Sequence, residues 1–235
     1  MLIIPVIDLS KGIVVHAIKG NRKEYRAIES KLSPTPKPYD VITGFLDIFD
    51  FNTIYIADLD ALEQQGDHVK IIETICLNYP DLEIWLDTGS ALLVHYLQNY
   101  NFSNLRLILS SESLISTEDF VSYIKSYPEH KFILSLDFKD NALLGPQEIL
   151  HAKQCWPKDV IVLNLNNVGA EQGGSFPSQL NPLELVKEFH IYYGGGIRDY
   201  NDIIQLNSQK FSGALVSTCL HKQLITEDDL LHLRQ

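Results

Sequence analysis

The chain has 235 residues, 45% of them hydrophobic and 21% charged, with a formal net charge of −11. That composition builds a folded core and is not that of a disordered chain. Its acidity disfavours nucleic acid and anionic membrane as partners, whereas a small phosphorylated molecule can still be held by backbone N–H groups.

Eight short, near-continuous apolar runs recur along the chain, at residues 2–7, 53–57, 82–86, 105–109, 131–136, 160–163, 189–192 and 213–216. Continuous runs of this length suit parallel strands covered on both faces. The first ends at Asp8, too early for a signal peptide, and no basic leader precedes it. No apolar stretch is long enough to span a bilayer, so a cytoplasmic location is expected. Residues 33–39 carry Pro34, Pro36 and Pro38 and are expected to be extended. Helical spacing follows in Val69, Ile72, Cys76 and Leu77, and again in Leu92, Leu93, Tyr96 and Leu97. Ser116 is placed to cap a helix through Phe120, Ile124 and Tyr127, Pro182 to start another, and Asp199 to cap a third through Ile203, Ile204 and Leu206. Residues 164–181, with Gly173-Gly174, read as a long mobile loop.

Strand alternating with helix eight times predicts a single α/β domain over residues 1–235, a (β/α)₈ barrel. The alternative is an open doubly wound sheet, which usually has fewer strands and an early glycine fingerprint that this chain lacks. A faint half-barrel repeat supports closure. Asp8 and Asp137 end the first and fifth runs, Ser110-Ser111 and Ser217-Thr218 follow the fourth and eighth, and Gly89 and Gly194-Gly195-Gly196 follow the third and seventh.

Residues at the C-terminal ends of barrel strands face the active site. Asp8 and Asp137 thus form a candidate acid–base pair across one mouth, because burying an unpaired aspartate for packing alone is costly. A turn or helix cap is the plain alternative for each. Gly194, Gly195 and Gly196, with Ser217 and Thr218, form a candidate phosphate cradle of backbone N–H and hydroxyl donors, helped by the following helix N-terminus. Three consecutive glycines exceed what a tight turn needs. Cys76, Cys155 and Cys219 are scattered, without a CxxC pair, and read as reduced core thiols. The eight histidines form no ligand motif, so no metal site is expected; His16, near the mouth, is either a substrate contact or a solvated or core histidine.

These motifs resemble the HisA/HisF barrels of histidine biosynthesis over essentially the whole chain. The resemblance rests on Ile3-Ile4-Pro5-Val6-Ile7-Asp8-Leu9, Lys11-Gly12, Lys19-Gly20, residues 54–61, Ser135-Leu136-Asp137 and Gly194-Gly195-Gly196-Ile197. It is closest to the isomerase branch, which converts a phosphoribosyl aminoaldose to the ketose. The resemblance implies Asp8 as general base and Asp137 as general acid, with no metal or organic cofactor. It also implies phosphate contacts at Gly89, Ser110, Ser111, Gly194, Gly195, Gly196, Ser217 and Thr218, and further substrate contacts at Lys19, Asp58 and Asn164.

The chain departs from the family pattern at the third run, where Leu86-Asp87-Thr88-Gly89-Ser90 replaces a glycine-rich phosphate loop. Asp87 repels phosphate. A divergent relative is therefore expected, with the acid–base pair, one good phosphate site and an altered second half of the pocket. Such relatives include barrels associated with pterin-cofactor, one-carbon metabolism. A lyase or condensing enzyme on a monophosphate, and a non-catalytic phosphometabolite-binding subunit, are the competing readings.

Overall fold

The computed structural model of the protein describes residues 1–169 and 176–233. The expectation for Gly173-Gly174 lies outside the described residues. Eight strands form the frame: β1 (Leu2–Ser10), β2 (Thr53–Asp58), β3 (Glu83–Asp87), β4 (Leu105–Ser110), β5 (Ile133–Lys139), β6 (Asp159–Asn164), β7 (His190–Gly194) and β8 (Gly213–Val216). Each pairs in parallel with the next, and β8 returns to β1 with Leu2 opposite Gly213 and Pro5 opposite Val216. The sheet is therefore closed, and no barrel strand is left as an unpaired edge. This is a (β/α)₈ barrel, as the spacing of the eight apolar runs predicts.

Strand alternation sorts the side chains. Ile4, Tyr55, Trp85, Ile108, Ile133, Ile161, Tyr192 and Leu215 fill the barrel interior. At the N-terminal end the Trp85 and Tyr192 rings meet edge to face at 4.7 Å, with the Arg106 guanidinium 5.5 Å from the Trp85 ring centre. Arg106 also pairs with Asp159 at 2.6 Å, and Asp159 accepts from Tyr192. This aromatic and ionic floor packs the N-terminal end, and the cavity lies at the opposite mouth.

The outward alternates pack beneath the helices: α1 (Pro38–Ile48), α2 (Val69–Asn78), α3 (Gly89–Asn99), α4 (Thr117–Ser126), α5 (Pro182–Glu188), α6 (Tyr200–Ser208) and α7 (Glu227–His232). Ser116 caps α4 by accepting from Asp119 N, and Asp199 caps α6 by accepting from Asn201 N and Asp202 N. Phe120, fully buried on α4, contributes about 2–3 kcal/mol by leaving water.

Several expectations change. Residues 33–37 are irregular, but Pro38 and Tyr39 belong to α1, because a proline at the first helical position gives up no hydrogen bond. Gly44 of α1 lies against the Leu32 carbonyl, where a Cβ would come within 2.0 Å, so the chain just before the proline-rich stretch packs directly on the helix backbone. Leu77 sits on the outer face of α2 at 63% exposure. Between β5 and β6 the connection is not an α-helix; it carries a short strand, Ala142–Leu143, folded back on β5, and the 3₁₀ turns Gln147–His151 and Lys153–Cys155. After β1, a hairpin of two short strands, Ile13–His16 and Arg26–Ala27, carries residues 17–25 over the mouth. Among the described residues no helix is long and apolar enough to cross a membrane.

Candidate active site

A cavity of about 470 Å³ occupies the mouth. Asp8, Asp87, Asp137 and Gly194 line it from the ends of β1, β3, β5 and β7. Pairing sets their heights. Asp8 lies opposite Ala57, which lies opposite Asp87, and Asp137 lies opposite Leu163, which lies opposite Gly194. Odd-numbered strands thus deliver three carboxylates and one glycine into one space.

Asp137 is held most firmly. Its Oδ2 accepts from Ser110 Oγ at 2.9 Å, Ser111 Oγ at 3.1 Å and Glu112 N at 3.3 Å, and its Oδ1 accepts from Ser135 Oγ at 2.7 Å. Asp8 differs. Its carboxyl has no hydrogen-bond donor among the described residues, and burial pushes it up to about 7 against the opposing pull of Arg22. Asp87 is pushed up to about 8 by burial, then by Asp137 and Glu112, against Gly89 N and the Tyr55 hydroxyl, which donate to it at 3.1 Å and 3.3 Å. Glu112 is also raised by burial and by Asp137, and it binds Arg22 at 2.6 Å.

The glycine pole faces these acids. Gly195 has φ +102°, and a Cβ there would stand 2.2 Å from the Asn164 carbonyl. Gly196 has φ +83°. A Cβ on Gly194 would come within 2.7 Å of Leu163 Cδ1. Only glycine fits this path, and it leaves backbone open to the cavity. Gly195, Gly196, Ser217 and Thr218 line this end, and Lys23 and Lys139 line the cavity too. The N-terminus of α6 contributes less than its position suggests. Asp199 already takes its Asn201 and Asp202 N–H groups, and Arg198 is tied to Asp202 at 2.7 Å.

The remaining sequence candidates lie elsewhere. Ser110 and Ser111 spend their hydroxyls on Asp137 rather than facing the cavity. Gly89 donates its N–H to Asp87 and packs against Leu62 and Ser113. Asp58 is fully buried and accepts from Ala61 N, His68 N and His68 Nδ1. His68 Nε2 in turn accepts from Gly12 N, while Asp60 accepts from Ser10 Oγ and Lys11 N, so this cluster pins the β1 hairpin. Lys19 is outside the cavity lining and donates its backbone N–H to Val168 O, joining the loops after β1 and β6. Asn164 hydrogen-bonds Tyr193 beneath the glycine pole.

Arg22, Tyr25, Tyr55 and Glu112 line the cavity and were not singled out in the sequence. Glu112 follows Ser110-Ser111 directly, so the strand-end rule was the available signal for it. Arg22 sits in a loop that no local pattern orients.

Comparison with known proteins gives the family. The chain is 29% identical to an uncharacterized protein of Methanocaldococcus jannaschii, over 99% of this chain and 98% of that one. It is 25% identical to a 1-(5-phosphoribosyl)-5-((5-phosphoribosylamino)methylideneamino)imidazole-4-carboxamide isomerase of Caldanaerobacter subterraneus, covering 96% and 94% of the two chains. It is 23% identical to the isomerase of the same name from Clostridium acetobutylicum, covering 96% and 95%. The family model described as histidine biosynthesis protein matches residues 2–226, and the chain belongs to that family.

Proposed function

We propose that this protein is an aldose–ketose isomerase acting on a phosphorylated aminoaldose, with Asp8 as general base and Asp137 as general acid. One observation carries the reading. The two carboxylates line one cavity from strands four apart, and that cavity's far end is open glycine backbone beside Ser217 and Thr218. Relatives named as isomerases of a phosphoribosyl compound support the reaction class.

In this reading the phosphate rests on the Gly195–Gly196 backbone and the hydroxyls after β8. Asp137 delivers a proton from Oδ1, the oxygen with one donor among the described residues, to the sugar ring oxygen. The C1–O bond breaks and an iminium forms at C1. Asp8 then removes the proton at C2, the electron pair neutralises the iminium, and the resulting enol becomes the C2 ketone as Asp8 returns the proton to C1 and the enol O–H proton passes to Asp137. No electrons leave the substrate. Asp8 suits the base role because a value near 7 matches proton transfer near neutral pH.

A narrower reading favours a substrate with one phosphate. Asp87 and Glu112 stand where the opposite pole would need anion donors, and Glu112 occupies the Arg22 guanidinium. Turnover of the histidine-pathway aminoaldose, wild type against Asp8→Asn and Asp137→Asn, tests the first reading. Collapse in both variants supports it. A well-folded wild type with no turnover removes that substrate and leaves monophosphates to be assayed.

A further inference from the structure

We infer that the substrate's end opposite the phosphate is a basic amine, bound as an ammonium against Asp87 and Glu112 rather than as a second phosphate. The inference rests on the reading above, in which the glycine pole holds one phosphate.

The charge of the cavity carries the argument. Its wall includes the carboxyls of Asp8, Glu63, Asp87, Glu112 and Asp137 against three basic side chains, Arg22, Lys23 and Lys139. A bound phosphate adds further negative charge. Once these carboxyls are ionised, negative charge is in excess in a partly desolvated space; that is costly, and a second phosphate would compound the cost. An ammonium offsets it. The hydrogen-bond inventory agrees. Asp8 faces the same space without a donor among the described residues, and the buried Asp87 carboxyl has only two long contacts, 3.1 Å and 3.3 Å. An ammonium brings three donors and no acceptor. The Tyr55 hydroxyl, which now donates to Asp87, can instead accept from it. Burial first, and then repulsion by Asp137, raises both Asp87 and Glu112, and a bound ammonium offsets that repulsion and favours their ionised forms.

The test measures calorimetric affinities for three probe series of matched length, from three to six carbons: alkyl phosphates, ω-aminoalkyl phosphates and α,ω-alkane bisphosphates. Inorganic phosphate is the reference. The expected result is binding of inorganic and alkyl phosphates, with the best aminoalkyl phosphate about tenfold tighter than its alkyl partner, the scale of charge-assisted hydrogen bonds. Bisphosphates bind no better than alkyl phosphates. Aminoalkyl binding near pH 8 releases protons to the buffer. In Asp87→Asn the amine preference falls towards one. Should that variant not fold, Glu112→Gln serves instead, and by freeing Arg22 it also improves bisphosphate binding. Phosphate binding with no amine preference, or bisphosphates binding tightest, overturns this inference alone. Failure of inorganic and alkyl phosphates to bind overturns the phosphate-pole reading, and the inference with it.

Discussion

Arg22 and Glu112 meet at 2.6 Å at the mouth of the barrel, one from the β1 hairpin and one from the turn after β4. The pair spans 90 residues of sequence and is partly buried. It closes the gap between two loops and consumes a guanidinium that would otherwise face the substrate. Asp8 feels that guanidinium too, as a pull against its desolvation. One arginine therefore both joins the two loops at the mouth and lowers the proton affinity that burial gives the proposed base.

A pH profile reads this arrangement. Asp8 acts as a base only when ionised, and its value is about 7. kcat/KM is expected to rise through about pH 7 and to fall about tenfold per pH unit below it. Arg22→Ala removes the opposing charge and moves that limb to higher pH. A profile flat from pH 5 to 8 in the wild type removes Asp8 from the role.

Asp87 gives a prediction on stability. Its carboxyl is raised from 3.8 to about 8 in the folded protein. The folded state therefore binds this proton more tightly than the unfolded state. Its contribution is fully present below about pH 4 and is lost as pH rises through about 8. Asp87→Asn stays neutral throughout and keeps the acceptor for Gly89 N. Thermal melts are expected to show the variant about as stable as wild type at pH 4 and roughly 1–3 kcal/mol more stable at pH 8.5. A variant less stable at both pH values contradicts the assignment.

The barrel was legible because its eight strands are continuous apolar runs, and covered parallel strands leave that mark. The Asp199 and Ser116 caps were legible for a local reason, since each side chain bonds an N–H two or three residues on. Asp8 and Asp137 stood out as charges ending apolar strands. Ser110 and Ser111 look like phosphate donors in the sequence, yet β4 and β5 lie side by side and turn both hydroxyls onto Asp137. Asp58 looks like a mouth residue until His68, ten positions on, folds back onto it. Those outcomes depend on long-range packing that no local spacing encodes, as does the meeting of Arg22 with Glu112.

The serines around Asp137 are positioning residues. Among the described residues, Ser135→Ala removes the sole donor to Oδ1, and Ser111→Ala removes one of three on Oδ2. Asp137 becomes charged as its proton leaves, and a hydrogen bond to a charged group is worth about 1.5–3 kcal/mol, so kcat is expected to fall roughly ten- to hundredfold in Ser135→Ala. KM moves less than about twofold, because neither hydroxyl faces the phosphate pole. A KM rise with kcat unchanged would instead place these serines in substrate binding.

The glycine pole can be separated from general backbone strain by comparing two glycines. Gly195 and Gly12 both have positive φ, at +102° and +79°. A Cβ on Gly12 meets nothing within 4 Å, whereas one on Gly195 stands 2.2 Å from the Asn164 carbonyl. Both alanine variants pay backbone strain on the order of 1–3 kcal/mol. Gly195→Ala must in addition shift the loop that faces the cavity. Inorganic phosphate, measured as a competitive inhibitor or by calorimetry, is expected to lose about tenfold or more in affinity for Gly195→Ala and less than about twofold for Gly12→Ala. Equal losses in the two would trace the effect to stability and remove Gly195 from the phosphate site.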